Sequence, residues 1–456
     1  MKPITPDDDV MLPVLRALSA NTAAIEPPAD APKVLFVSVY CFQSFAIRGF
    51  HELACKANIN THSLFFKNAF TNHHKPVTDE EIALLVEEVR TFNPDVIAYS
   101  VLAPYAIIAE RMTEAIRDVS DCPIIAGGKH ATISPDEALA YADYACKGEG
   151  ELVLLDIFER LKAGSSDFIG IKGLWHKNEN GDVVDNGQRH LIQDLDLIPF
   201  ESVGEPNMAF IEHNRIARND PECESTEILI MAGRGCVYLC SYCVNALLIP
   251  MNRGNGRFVR MRSPASLIRQ IEQRRAKQPN ARMISFNDEV FGVFTDWTEE
   301  FCLAYGEYPG RLPFNCELVP KLIKEENVTK LAEVGLIEMH FGIQSGSDDV
   351  RNSVLKRPGK NDDLVEKAEL LARLGIAPQC DLILDNPFDD AEVMIETLAL
   401  LKRMPHPLRL NVYKLQYFPH YPLTNAALEA GFITPDDITP QKVAERVMFN
   451  WIHKPR

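Results

Sequence analysis

From Lys33 onward, apolar residues come in short runs separated by stretches of helical period. In the first series the runs are Val34-Leu35-Phe36-Val37, Ser63-Leu64-Phe65-Phe66, Val96-Ile97-Ala98-Tyr99 and Pro123-Ile124-Ile125-Ala126. Between and after them lie amphipathic stretches such as Glu81 to Arg90 and Ala106 to Arg117. Short buried strands alternating with helices predict a doubly wound parallel α/β sheet covered on both faces. Sheets of this kind bind ligands at the carboxyl ends of their strands. A second series begins near Thr226, with strands expected at 227–232, 282–287, 312–317, 337–343, 380–384 and 409–416. The helices between them fall at about 264–277, 296–306, 325–334, 362–374 and 389–403. Six strand–helix repeats predict a partial (β/α)6 barrel, whose chemistry gathers at the carboxyl ends of its strands. The expected organisation is a flexible N-terminal arm over 1–30, a doubly wound domain over 31–164, and a linker over 165–225. The barrel follows over 226–456 with a short C-terminal extension. Asn178-Glu179-Asn180-Gly181-Asp182 reads as the tip of a small hairpin within the linker.

Composition narrows the partners. At 456 residues the chain is too long for one core, and a net charge of −17 with no dense basic run excludes phosphate-backbone recognition. No nucleic-acid partner is expected; a small molecule or a peptide is. No apolar stretch approaches the roughly 18 residues of a membrane span, and the N-terminus lacks a signal-peptide core. Eleven cysteines, only three of them at a motif spacing, fit a reducing compartment, so a cytoplasmic protein is expected.

Those three cysteines carry the most specific signal. Gly233-Arg234-Gly235-Cys236-Val237-Tyr238-Leu239-Cys240-Ser241-Tyr242-Cys243 places them in a C-x3-C-x2-C spacing directly after the apolar run Ile228-Leu229-Ile230-Met231. Thiolates are the soft ligands that iron–sulfur clusters select, and a loop this short can hold three irons and leave a fourth open. The alternative is a zinc site or three buried cysteines; zinc asks for a further Cys or His pair, and none stands at a fitting spacing. The spacing, with the aromatic Tyr242 before the third cysteine, resembles the signature of the radical S-adenosylmethionine (radical SAM) superfamily. The resemblance implies a 4Fe-4S cluster on Cys236, Cys240 and Cys243 whose open iron chelates S-adenosylmethionine, cleaved reductively to an adenosyl radical by an electron from a donor such as flavodoxin or ferredoxin.

The first series carries a second resemblance. Its third strand runs into Ser100-Val101-Leu102 and its fourth into Gly127-Gly128-Lys129-His130. S-x-L followed by G-G resembles the Rossmann-like cobalamin-binding domain that precedes many radical SAM domains, with Ser100, Leu102, Gly127, Gly128 and His130 as cofactor contacts. The loop after the first strand, Val39-Tyr40-Cys41-Phe42-Gln43-Ser44, lacks the D-x-H-x-x-G of cobalamin domains that supply a histidine to cobalt. The resemblance is therefore to the branch without that lower ligand. The other reading of this domain is a flavodoxin-like fold with a different ligand or none.

Within the barrel, the resemblance assigns Asp288 and Glu289, after the second strand, to the amino group of S-adenosylmethionine; a carboxylate there makes a charge-assisted bond to an ammonium. Glu317 is expected to reach the ribose or the substrate. Gln344 and Ser345, in Gly342-Ile343-Gln344-Ser345-Gly346-Ser347, are expected to offer polar contacts to the ribose or carboxylate. The whole implies a cobalamin-dependent radical SAM enzyme, foremost a methyltransferase for an unactivated carbon. A cyclase, rearrangement or oxidation enzyme with the same cofactors is the second reading, and a non-catalytic cobalamin or iron–sulfur sensor the third.

Overall fold

The computed structural model describes residues 9–20, 27–69 and 75–438. These divide into two compact units, the first running to Cys223 and including Asn252–Arg257, the second comprising Glu224–Met251 and Phe258–Ile438.

The first unit is built on strands β1 (Lys33–Val39), β2 (Asn60–Phe66), β3 (Val96–Ser100), β4 (Ile124–Gly127), β5 (Tyr144–Cys146), β6 (Leu174–Lys177), β7 (Val183–Asp185), β8 (Met208–Glu212) and β9 (Arg215–Ala217). They form one sheet in the order β7-β6-β5-β4-β3-β1-β2-β8-β9. β5, β4, β3, β1, β2 and β8 run parallel; antiparallel pairing of β6 on β5, β7 on β6 and β9 on β8 closes the edges. Successive side chains of one strand go to opposite cores. Val34, Phe36, Phe65, Val96 and Ala98 enter one; Leu35, Val37, Leu64, Phe66, Ile97 and Tyr99 enter the other. Burial on both faces is why these strands read as unbroken apolar runs. The helix Asp79–Phe92 begins with a capping box, Thr78 Oγ1 accepting from the Glu81 N–H and Glu81 accepting from the Thr78 N–H, a device that contributes about 1 kcal/mol. The chain order reverses between β1 and β3, so the crevice at their carboxyl ends is the topological switch point where open α/β sheets take ligands.

Two expectations about this region are corrected. Within the stretch expected to be a flexible arm, Leu12–Ala20 is a helix that sends Leu12 and Leu15 into the core; residues 1–8 and 21–26 lie outside the described part. The stretch 165–225 is no linker, for it supplies β6 to β9. It is also tied inward by Asp220, which takes a bidentate pair from Arg48 (Nη1–Oδ2 2.7 Å, Nη2–Oδ1 2.9 Å), both side chains being buried. Two buried charges are tolerable only when matched in this way. The expected hairpin is β6 paired with β7.

The second unit has the parallel sheet β10 (Glu227–Ile230), β13 (Met283–Phe286), β14 (Phe314–Glu317), β15 (Leu336–Gln344), β16 (Ala377–Leu384) and β17 (Arg409–Lys414), in that order. A short ribbon, β11 (Gly233–Arg234) with β12 (Arg260–Met261), stands beside it. One face of the sheet, with Ile228, Ile230, Ile284, Phe286, Phe314, Cys316, Met339, Phe341, Cys380 and Leu382, packs on the helices. The alternate positions form the other face: Ser285, Asn315, Glu317, Glu338, His340, Gln379, Asp381, Asn411 and Tyr413. The short C-terminal extension expected after the barrel falls partly on residues 439–456, outside the described part.

Candidate functional site

In the second unit the three cysteines lie on the loop between β11 and the helix Asn245–Met251. Cys240 is buried, Cys236 and Cys243 half-buried. Burial, with the neighbouring Cys243 and Cys240, pushes the Cys236 thiol up to about 11, while the amide of Tyr238 pulls the other way. The loop is clamped from a distance. Ser241 donates its N–H to Leu355 O (3.0 Å) and its hydroxyl to Val354 O (2.7 Å), and its carbonyl accepts from the Leu423 N–H (3.0 Å). Val354 and Leu355 stand at the end of a single π-helical turn, Val350–Val354, an element that recurs at functional sites, and Leu423 belongs to the helix Pro422–Glu429. Among the described residues no three Cys, His, Asp or Glu side chains converge as ligands of one metal ion. An all-thiol donor set spread over one loop fits a cluster, where each sulfur sits on its own iron.

Around the loop, the expected residues separate into those that face the cofactor region and those that serve the backbone. Asp288 belongs to the second group. It is 2% exposed, and its carboxylate accepts from the N–H groups of Ala232 (3.1 Å) and Gly233, the residues leading into the cysteine loop. Burial pushes its carboxyl up to about 8 against those two amides. Ser345 is likewise engaged: it is buried, and its hydroxyl accepts from the Ser347 N–H (3.2 Å). Tyr242 is packed against Val350, Leu355, Leu415 and Leu423, and burial raises its phenol well above the ordinary value. Glu289 is half-buried and within electrostatic reach of Cys236 and Glu317. Gln344 is 8% exposed, holds a left-handed backbone (φ 61°), and leaves its Oε1 buried without a partner. An orphaned buried acceptor and a half-buried carboxylate beside the thiol loop fit a bound molecule carrying hydroxyl and ammonium groups.

Sequence reasoning missed three residues here and left a fourth, Arg351, open between an exposed helix residue and an anchor. Arg351 is 1% exposed and donates to Ile343 O, Ser345 O, Asp348 and Asn361, fixing the loop after β15. Arg357 is buried with Nη1 3.7 Å from Cys240 Sγ. On the sheet face turned away from the helices, His340 Nε2 sits 2.7 Å from Asp381 Oδ1, which also accepts from Asn411 (3.0 Å). Burial works against a charged imidazole, but Asp381 first, then Glu317 and Glu338, hold the His340 pKa above its ordinary value. Burial also pushes Glu317 up to about 7, although 42% of its side chain is open. The signal for this face was in the sequence: β15 reads Glu338-Met339-His340-Phe341, polar and apolar in strict alternation.

In the first unit the expected residues stand at the switch point. Ser38, Ser100 and Gly127 end neighbouring strands in register. Ser100 is half-buried and Leu102 is 41% exposed. Gly128 has φ +89°, and a Cβ there would lie 2.6 Å from Val101 O, so only glycine lets the loops after β3 and β4 meet. His130 is a correction. The ring is 2% exposed, with Nδ1 3.1 Å from the Tyr141 hydroxyl and Nε2 3.2 Å from Glu137. Both nitrogens serve the protein, and neither is left for a corrin. The loop leaving β1 offers Gln43, whose Oε1 is buried without a partner. Small residues, an open strand-end crevice and an orphaned acceptor fit a large amide-fringed ligand.

Comparison with known proteins assigns both units. A model of the B12 binding domain matches residues 70–172, and one of the radical SAM superfamily matches 230–401. An uncharacterized methyltransferase of Pyrococcus horikoshii is 22% identical over 335 residues, covering 72% of this chain and 68% of that protein. The anaerobic magnesium-protoporphyrin IX monomethyl ester cyclase of Rubrivivax gelatinosus is 23% identical, covering 74% of this chain and 58% of the cyclase. Among solved structures, the radical SAM methyltransferase TsrM of Kitasatospora setae, with cobalamin and a [4Fe-4S] cluster bound, superposes with a TM-score of 0.68 at 18% identity, covering 88% of this chain and 75% of that one. The cobalamin-dependent radical SAM enzyme OxsB gives 0.62 at 16% identity, covering 82% and 52%. No helix among the described residues is long and apolar enough to cross a membrane. The chain thus carries a B12-binding domain followed by a radical SAM domain, the domain pair of cobalamin-dependent radical SAM enzymes, and the cofactors these domains imply are a 4Fe-4S cluster, S-adenosylmethionine and cobalamin.

Proposed function

We propose that the protein is a methyltransferase that places a methyl group on an unactivated carbon of a small molecule or peptide. The observation that carries this reading is the loop leaving β1, which presents Gln43 and Cys41 where a histidine would ligate cobalt. A corrin without a strong lower base releases a methyl group more readily, and relatives named as methyltransferases support the same choice. When bound, the cluster with S-adenosylmethionine supplies hydrogen abstraction from the substrate and the corrin supplies the methyl group. The chain's own residues do the rest. Cys236, Cys240 and Cys243 hold the cluster. Glu289 receives the ammonium of S-adenosylmethionine, and Gln344 and Glu317 offer contacts to its ribose or to substrate. The face bearing His340, Asp381, Asn411 and Tyr413 supports a substrate rich in hydrogen-bonding groups. Ser100, Leu102, Gly127 and Gly128 line the corrin crevice.

The electron comes from a low-potential donor such as flavodoxin or ferredoxin. A cluster sensitive to oxygen, with eleven free cysteines, supports a cytoplasmic setting. The cyclase relative favours a second reading, in which both cofactors work without methyl transfer. Anaerobic incubation of the reconstituted protein with cobalamin, a strong reductant and methyl-deuterated S-adenosylmethionine separates the two. 5'-Deoxyadenosine together with S-adenosylhomocysteine and label on the corrin is the expected outcome. Deoxyadenosine alone moves the assignment to ring closure or rearrangement.

A further inference from the structure

We infer that Arg357 is an electrostatic positioning residue that raises the reduction potential of the cluster, by holding a permanent positive charge and an N–H donor against the sulfur of Cys240. A guanidinium stays protonated at any working pH, so burying one requires a compensating charge. Arg357 is 8% exposed, yet among the described residues no carboxylate forms an ion pair with it. Its Nε donates to Gly342 O (2.9 Å), its Cζ lies 5.8 Å from the centre of the Tyr238 ring, and Nη1 lies 3.7 Å from Cys240 Sγ. The negative partner in hydrogen-bond contact is the thiolate, and the Glu317 carboxylate acts on the guanidinium from further off.

The placement is built, not incidental. β15 carries glycine at 342, where a Cβ would lie 2.1 Å from Gln344 Nε2 and 3.0 Å from Arg357 Nη2, so a larger residue would displace the Gln344 amide and crowd the guanidinium. The Arg357 N–H is tied to Arg351 O (2.9 Å), and Arg351 is itself locked beneath the loop after β15. The segment that clamps Ser241 therefore also delivers the cation to the next residue back. Adding one electron makes the cluster and its thiolates one charge more negative, with no proton taken up and none released by Arg357. A cation and an N–H···S contact at a ligand sulfur favour that state, and hydrogen bonds and net charge are among the terms that set cluster potentials. The reductant is any low-potential one-electron donor.

This inference rests on the three cysteines holding the cluster, and the two fail differently. The test compares wild type with Arg357→Met and Arg357→Lys, each reconstituted and assayed for iron and sulfide before redox titration followed by electron paramagnetic resonance. A fully loaded Arg357→Met cluster is expected to show a roughly tenfold lower ratio of reduced to oxidised form at fixed potential, a downward shift of about 59 mV for one electron. Arg357→Lys is expected to recover part of it. Full loading of Arg357→Met with an unmoved midpoint overturns the inference. If Arg357→Met does not fold, the decision falls to the reduced wild-type protein labelled with guanidino-15N arginine. A nitrogen coupling to the cluster in pulsed resonance supports the contact, and its absence overturns it. Loss of iron from Cys240→Ala is the separate test of the cluster site; retained iron there would sink that reading instead.

Discussion

Replacing Asp288 distinguishes a carboxylate that binds cofactor from one that holds the backbone. Its two oxygens accept from the amides of Ala232 and Gly233 inside a 2% exposed site. Truncation in Asp288→Ala strands two buried N–H groups, each costing roughly 1–3 kcal/mol. The sum, about 2–6 kcal/mol, falls on the few residues between β10 and Cys236. Asp288→Asn keeps one acceptor but turns an amide N–H2 towards a backbone donor, so about half that loss is expected. At about 1.4 kcal/mol per tenfold, even the lower figure reduces the population of correctly set loop more than tenfold. Iron content after reconstitution and the thermal midpoint should fall together, furthest in Asp288→Ala. Protein that does load should bind S-adenosylmethionine within about twofold of wild type, measured by equilibrium dialysis. Glu289→Gln should behave in the opposite way, loading fully and binding S-adenosylmethionine weakly. Full iron content, an unchanged midpoint and lost cofactor affinity in Asp288→Asn would refute the reasoning and return Asp288 to the ammonium.

Three further outcomes follow from the first unit. Gly128→Ala should lose cobalamin, read as corrin absorbance retained on a desalting column, while iron content stays at the wild-type level; a left-handed alanine costs roughly 1–2 kcal/mol before its contact with Val101 O is counted. Asp220→Ala leaves Arg48 buried and unpaired, so urea unfolding should show about 3–5 kcal/mol of destabilisation; a change under 1 kcal/mol would show that water replaces the carboxylate. Glu88 is held at about 2, burial opposing and the bonds from His62 and Arg218 prevailing. Because the folded value is depressed, the stability it adds is present above the unfolded carboxylate range and lost as pH falls towards 2. Glu88→Gln should therefore cost about 2 kcal/mol at neutral pH, allowing for the half-exposed Arg218, and the gap to wild type should close in acid.

The parts of this protein legible in the sequence are those where one physical demand dominates. Parallel strands buried on both faces leave runs such as Val34 to Val37 that admit one reading, and the predicted barrel strands fall within a few residues of β10 and β13 to β17. Three thiols on one loop are equally direct. What escaped is decided by tertiary partners. β9 is a three-residue edge strand with only one partly buried side chain, and no period can announce it. Arg357 stands between Lys356 and Pro358-Gly359 in a stretch that reads as solvated loop, and Arg351 reads equally as an exposed helix residue or an anchor; only the folded chain turns both inward. Asp288 and Glu289 are adjacent acids with the same sequence signature; the loop after β13 sends one to the backbone and leaves the other beside Cys236. His130 looked like a ligand because it follows two glycines, and Tyr141 and Glu137 claim it from positions no motif marks.

The clamp on Ser241 also bears on how the protein is made. Its hydroxyl bonds to a carbonyl 113 residues further along the chain, and its own carbonyl awaits Leu423 later still. At roughly 5–20 residues per second of synthesis, the thiol loop leaves the ribosome many seconds before its anchors exist. During that interval Cys236, Cys240 and Cys243 are exposed to oxidants and stray metal without the scaffold that spaces them. Iron–sulfur insertion therefore belongs after the segment through Leu423 has emerged, and an expression host that delivers clusters late should yield more loaded protein than one that merely supplies more iron.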